Sequence, residues 1–203
     1  MTRTLLKKIT SRTALLTAAV AMAGCSANYS TGNNSTVLLI VAAVNAGRAL
    51  ASDVAAGDAG TTVIADTVEL AIAVRFKNPN IETVPQIPSA VIIERYEVKY
   101  RRSDGRGVQG QDVPFSISGN ITSAFDVKTS GTDPLFIEVV RAQAKLEPPL
   151  RNLRGATNGA LGGAFIVTMF ADITVHGRTI SGQPVSGSGS LQIDFADYGS
   201  ASR

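Results

Sequence analysis

The sequence is poor in the residues that carry most enzymatic chemistry. It holds one histidine, His176, and one cysteine, Cys25, among 203 residues. A Ser-His-Asp or Cys-His arrangement would have to be built on those single copies. His176 stands beside Gly177 at a strand end, on the parity that faces water, so an exposed hairpin histidine is expected. A zinc site needs several His or Cys ligands, which argues against one here. No Gly-x-Ser-x-Gly elbow occurs. Gly155, Gly159, Gly162 and Gly163 lack the preceding strand and following helix that a phosphate-cradling loop requires. No cofactor is expected. A lone cysteine also rules out a disulfide within the chain, so stability has to come from burial.

What is present begins with an address. Arg3, Lys7, Lys8 and Arg12 precede an apolar stretch from Ala14 to Ala23, with no acid among them. A basic start, a short apolar run and small residues before a cut make a secretory signal peptide over 1–24, too short to span a bilayer as a mature helix. Met22-Ala23-Gly24-Cys25 resembles the bacterial lipobox, with Met22 where leucine is usual. That resemblance implies cleavage before Cys25, a diacylglyceryl group on its thiol and an acylated new N-terminus. More than one acyl chain is needed to hold a protein firmly on a membrane. Ser26 stands where aspartate would direct retention in the inner membrane, so in a Gram-negative cell the outer membrane is favoured.

Removing 1–24 takes away four of the 19 basic residues and none of the 16 acidic ones, which leaves a net charge of −1. The basic balance belongs to the signal, and no nucleic-acid role is expected. The remaining 179 residues suit one domain burying roughly 70% of its unfolded surface.

Residues 25–35, the lipidated cysteine and a run of small polar residues, read as a tether; 36–198 read as the domain and 199–203 as a tail. Val37–Val44 is a short apolar run that suits a buried strand, followed by an Ala/Gly/Asp-rich loop over 48–60. Val68, Leu70, Ile72, Val74 and Phe76 alternate with outward residues until Asn78-Pro79-Asn80. Over 90–101, Ile92, Tyr96, Val98 and Tyr100 share a face, and Glu94 breaks the pattern. Two short strands near 113–118 and 121–128 are expected on either side of Ser118-Gly119-Asn120, then a strand from Leu135 to Val140. A long loop over 145–163 includes a helical turn near Leu150–Leu153. A hairpin closes the chain: Phe165, Val167, Met169, Ala171, Ile173 and Val175 face inward on one strand, and Val185, Leu191, Ile193 and Phe195 on the other. Gly187 and Gly189 fall on the inner face, as at a bulge or a close approach by another strand. This pattern gives an all-β fold, a single antiparallel β-sandwich of about seven to nine strands, with no repeat of fixed period.

Two segments, Arg95–Arg106 with Asp112-Val113-Pro114, and Gly177-Arg178 to Asp197-Tyr198, resemble a group of uncharacterised bacterial lipoproteins with immunoglobulin-like sandwiches. The likeness extends from about Val37 to Tyr198 and implies fold and location; it brings no active site.

Candidate binding residues fall into two basic groups: Arg101, Arg102 and Arg106, and Arg141, Lys145, Arg151 and Arg154. Loops on a rigid scaffold are common binding sites, here for an envelope protein, an anionic polymer or lipid head groups. The plainer reading is solvated charge balanced by Asp104, Glu138 and Glu147. Asp172, Asp194 and Asp197 lie on or beside the hairpin, with Asp172 and Asp194 neighbours if the register allows. Such a pair would suit a hard cation or glycoside hydrolysis, although no calcium-loop motif occurs, and solvated surface acids are the leading reading. The function expected is a non-catalytic structural or interaction module. A carrier of lipid or another apolar ligand and a carboxylate-dependent hydrolase are the alternatives.

Overall fold

The computed structural model describes residues 35–55, 62–78, 80, 90–155 and 166–198. The expected signal peptide, Cys25, nearly all of the tether, the 199–203 tail, residues 156–163 of the long loop and Phe165 lie outside them.

The described chain is all-β. Its strands are β1 (Val37–Val44), β2 (Leu50–Asp53), β3 (Asp66–Phe76), β4 (Ala90–Arg102), β5 (Ile117–Asp126), β6 (Asp133–Val140), β7 (Val167–Thr179) and β8 (Pro184–Ala196). A four-residue helix α1 (Ala142–Lys145) and a 3-10 turn (Leu150–Leu153), the latter where the sequence places a helical turn, follow β6. The strands form two sheets, β1-β3-β6 and β2-β8-β7-β4-β5. All pairs are antiparallel except β2 with β8.

Alternation decides which side chains meet. Val68, Leu70, Ile72 and Val74 of β3 and Met169, Ala171, Ile173 and Val175 of β7 are buried, as a period of two requires. They join Leu39, Leu135, Ile137, Leu191, Ile193 and Phe195 in one core cluster shared by both sheets.

Three readings of the sequence need correction. Within the expected 48–60 loop, Leu50–Asp53 forms β2, held parallel to the end of β8. The two strands expected around Ser118-Gly119-Asn120 are one strand, β5. Gly119 makes no turn: a Cβ there would lie 2.2 Å from the Tyr96 ring, so the glycine makes room for the aromatic side chain on β4. In β4 the register shifts between Ile93 and Arg95. This bulge inserts one residue and resets the parity, so Val91 and Ile93 are buried before it and Tyr96, Val98 and Tyr100 after it. Ile92 therefore faces outward.

Gly187 and Gly189 are where the two sheets approach most closely. A Cβ on Gly187 would stand 2.7 Å from the carbonyl oxygen of Leu39, and one on Gly189 would stand 2.9 Å from side-chain carbons of Val41 and Val44. Strand β1 thus lies on the inner face of β8 through the space that two missing side chains leave. Gly187→Ala pushes against backbone, which cannot rotate away. A loss of about 1–3 kcal/mol is expected, against less than about 0.5 kcal/mol for the outward Ser188→Ala. Urea unfolding followed by circular dichroism measures both.

Candidate functional site

Strand direction sorts the candidate residues by end. β1 starts at Val37 opposite Phe76, the last residue of β3, and Lys77 N–H donates to Thr36 O nearby. The far end holds the starts of β3, β5 and β7 and the ends of β2, β4, β6 and β8. Arg101, Arg102, Arg106, Arg141, Lys145, Arg151 and Arg154 all fall at or beside this far end.

Lys145 is not a surface cation. It is 1% exposed, and its Nζ lies 2.9 Å from Asp66 Oδ2. The same carboxylate oxygen accepts a hydrogen bond from Ser52 Oγ. The expected cluster with Arg141, Arg151 and Arg154 is therefore broken by burial. Lys145 ends α1, Asp66 begins β3 in the small sheet, and Ser52 lies on β2 in the large one, so three separate elements meet at one carboxylate. A buried lysine is stable as a cation only with such a partner. Arg141 Nη2 donates to Ser118 O at 3.0 Å and its Nε lies 3.8 Å from Glu138. Arg154 Nε donates to Val54 O at 3.2 Å. Arg151 sits exposed on the 3-10 turn.

The first basic group is also partly neutralised. Asp104 lies 2.9 Å from Arg102 and 3.7 Å from Arg106, and accepts the backbone N–H of Arg106. That N–H, with the Arg102 guanidinium adding to it, holds the Asp104 carboxyl below the usual aspartate range. Arg101 belongs to the outer face of β4. Its guanidinium stacks 4.5 Å over the Phe170 ring, and its Nε lies 2.9 Å from Asp172.

The acidic neighbours expected on the hairpin are not paired. Register sets Asp172 against Ser190 and Asp194 against Thr168, which separates the two carboxylates by four residues along β7. Asp172 accepts from Ser190 Oγ, and Asp194 from Thr168 Oγ1. Asp197 is buried and accepts Gly155 N–H at 2.6 Å. Among the described residues no group of three or more His, Cys, Asp and Glu side chains is placed to hold a metal ion. His176 lies on the outer face between Arg95 and Ser186, with Nε2 3.9 Å from Glu97 Oε1.

The far end also carries a groove of about 120 Å³. Pro114, Phe115 and Ile117 form one wall; Ala144 and Pro148 form the other, with Arg141, Gln143 and Glu147 at the margin. Phe115 is 55% exposed. Its lining includes one carboxylate, Glu147, already engaged by Gln143 Nε2, and one hydroxyl, Ser116, which accepts from Gln109. That donor set suits docking of a small apolar group beside an arginine, with no second acid for glycoside chemistry. Tyr100 lies in the core close by, its hydroxyl donating to Val139 O, and burial pushes its phenol well above the usual range.

Sequence reading misses Asp66, Ser52, Phe115 and Pro148 as site residues. Asp66 and Ser52 are single polar residues beside strands, and nothing local marks their partner 79 residues further on for Asp66. Phe115 next to Pro114 was the one local signal, since an aromatic between strands has no core face to occupy.

Lys145→Met leaves the Asp66 carboxylate without its cation. Removing one partner of such a buried pair costs about 3–5 kcal/mol. The double variant Lys145→Met, Asp66→Asn is expected to lose less than the two single losses combined, and a double-mutant cycle in urea measures that coupling. Among known proteins, no family model matches the chain, no curated protein matches it and no solved structure matches its fold.

Proposed function

We propose that the chain is an exported bacterial lipoprotein, anchored through Cys25, whose immunoglobulin-like domain works as a non-catalytic interaction module. The observation that carries this reading is the opposition of two ends. The described chain begins at Ser35, at one end of β1, while the Arg102–Arg106 loop, the groove and the Arg141–Arg154 segment lie at the other. In this reading the anchor enters the domain through β1, and the partner is met at the far end.

The immunoglobulin-like reading rests on strand order. β1-β3-β6 corresponds to A-B-E and β8-β7-β4-β5 to G-F-C-C′ of the variable type, with no strand D between β5 and β6. The partner chemistry that the groove favours is an apolar protein segment with a carboxylate for Arg141. Exposed Arg151 at the same end suits an anionic polymer, whereas Arg154 is turned inward, its Nε on Val54 O and its Nη2 buried. A carrier reading gains no support from the described core, whose inner faces are filled by side chains. The groove is also smaller than the ~300–1,000 Å³ pockets that enclose drug-sized ligands.

Cys25→Ser removes the acyl acceptor. The variant is expected to lose the mass of the lipid and, in a host with lipoprotein processing, to keep residues 1–24, because the lipobox resemblance ties their removal to the modified cysteine. An unmodified Cys25 in the parent chain, by intact mass, would contradict the anchor.

A further inference from the structure

The two sheets differ in what they show to solvent. The outer face of the large sheet is mostly polar: Arg95, Lys99 and Arg101 on β4, and Ser186, Ser188 and Ser190 on β8, are all exposed, with Ile92, 38% exposed opposite Arg178, an exception. The outer face of the small sheet carries an apolar stretch, bordered at the far end by Thr67, Glu69 and Glu138. Leu38 and Ile40 on β1 are 42% and 38% exposed, and Phe136 on β6 is 62% exposed. Register joins them through small residues. Ile40 faces Ala73 across the β1–β3 pair, and Ala71 faces Pro134 across β3–β6, two residues along from Phe136. A sandwich surrounded by water has no use for an apolar outer face on one sheet only.

We infer that the outer face of the β1-β3-β6 sheet is the surface on which the anchored domain rests against its own lipid bilayer. This rests on the lipid anchor proposed above. Cys25 lies twelve residues before Val37, so the anchor is at most about 42 Å of extended chain from the start of β1. The patch begins one residue later, at Leu38. Arg75, opposite Leu38 and donating to Val74 O and Gly131 O, gives that margin a positive charge, of the sign that anionic head groups attract. Lys128 and Asp133, at the same end, engage each other at 2.5 Å. Glu69, opposite Phe136, is the nearest acid on the face and lies toward the far end.

Magnitudes favour a bilayer over a second copy. A stable dimer buries roughly 800 Å² on each partner, and three large apolar side chains among alanines fall well short. A weak contact suffices beside an anchor, because the acyl chains make it intramolecular and raise the effective concentration to about the millimolar range or above. The domain then lies on its side, with the polar sheet outward and the far end projecting along the membrane plane.

The chain contains no tryptophan, so a single introduced one reports its own surroundings. Phe136→Trp, Leu38→Trp and, on the polar face, Ser188→Trp are each made in the full chain. Each is purified from the producing membrane, weighed intact, and placed in vesicles of phosphatidylethanolamine and phosphatidylglycerol with brominated acyl chains. Emission from positions 136 and 38 is expected to shift to shorter wavelength and to be quenched at least about twofold more than emission from 188. Equal quenching at all three positions, or none at 136 and 38, overturns the inference. A blue shift at 136 that grows with protein concentration without vesicles overturns it in favour of a second copy. If the intact mass shows no lipid on Cys25, the anchor reading fails by itself. The same vesicle measurement is then made after coupling that single thiol to a maleimide lipid.

Discussion

The far end of the molecule is organised by one buried ion pair. Lys145 brings a cation into a place where water cannot reach it, and Asp66 with Ser52 is what makes that position tenable. The pair joins the first residue of β3 to the last of α1, and through Ser52 it reaches β2 on the other sheet. The segment after β6 would otherwise be a surface loop with little apolar content. Leu150 and Leu153 of that segment are buried, and its Ala144 and Pro148 line the groove with Phe115.

Burial of a lysine is also why the sequence misleads here. Lysine is almost always exposed, so Lys145 beside Arg141, Arg151 and Arg154 reads as a basic surface. Its partner is 79 residues away in sequence, beyond the reach of any local pattern. The strands are the opposite case. β3, β7 and β8 each bury one face against a common core, and their alternation marks both element and orientation. β4 is legible only beyond its bulge, where Tyr96, Val98 and Tyr100 face inward as the alternation predicts. Glu94 already signals an interruption, but only the pairing with β7 reveals that one inserted residue turns Val91 and Ile93 inward and Ile92 out. β2 leaves almost no trace, because four residues in an Ala- and Asp-rich stretch carry no periodicity. Gly119 looks like a turn until the Tyr96 ring above it is known, whereas Gly187 and Gly189 are legible because they sit on the inward parity of an otherwise regular strand.

The acids and the lone histidine follow the same logic. Asp172, Asp194 and His176 share the outward parity of the hairpin, which the sequence can give. Register, which it cannot give, spreads them along the strands and hands each a separate neighbour. What remains is a domain with a polar outer sheet, an apolar outer sheet and a far end bearing a groove. The proposed lipid anchor before β1 would give each of these surfaces a place: one toward the bilayer, one toward water, and one toward a partner held at the same membrane.

The claim that the far end meets the partner is tested most directly in intact cells. A photoreactive benzoylphenylalanine replaces Phe115 in the groove or, as the comparison, Ser188 on the polar sheet, and the cells are irradiated before lysis. The account predicts a discrete heavier adduct from position 115 and none from 188. The absence of an adduct at 115, or the same adducts from both positions, would contradict it.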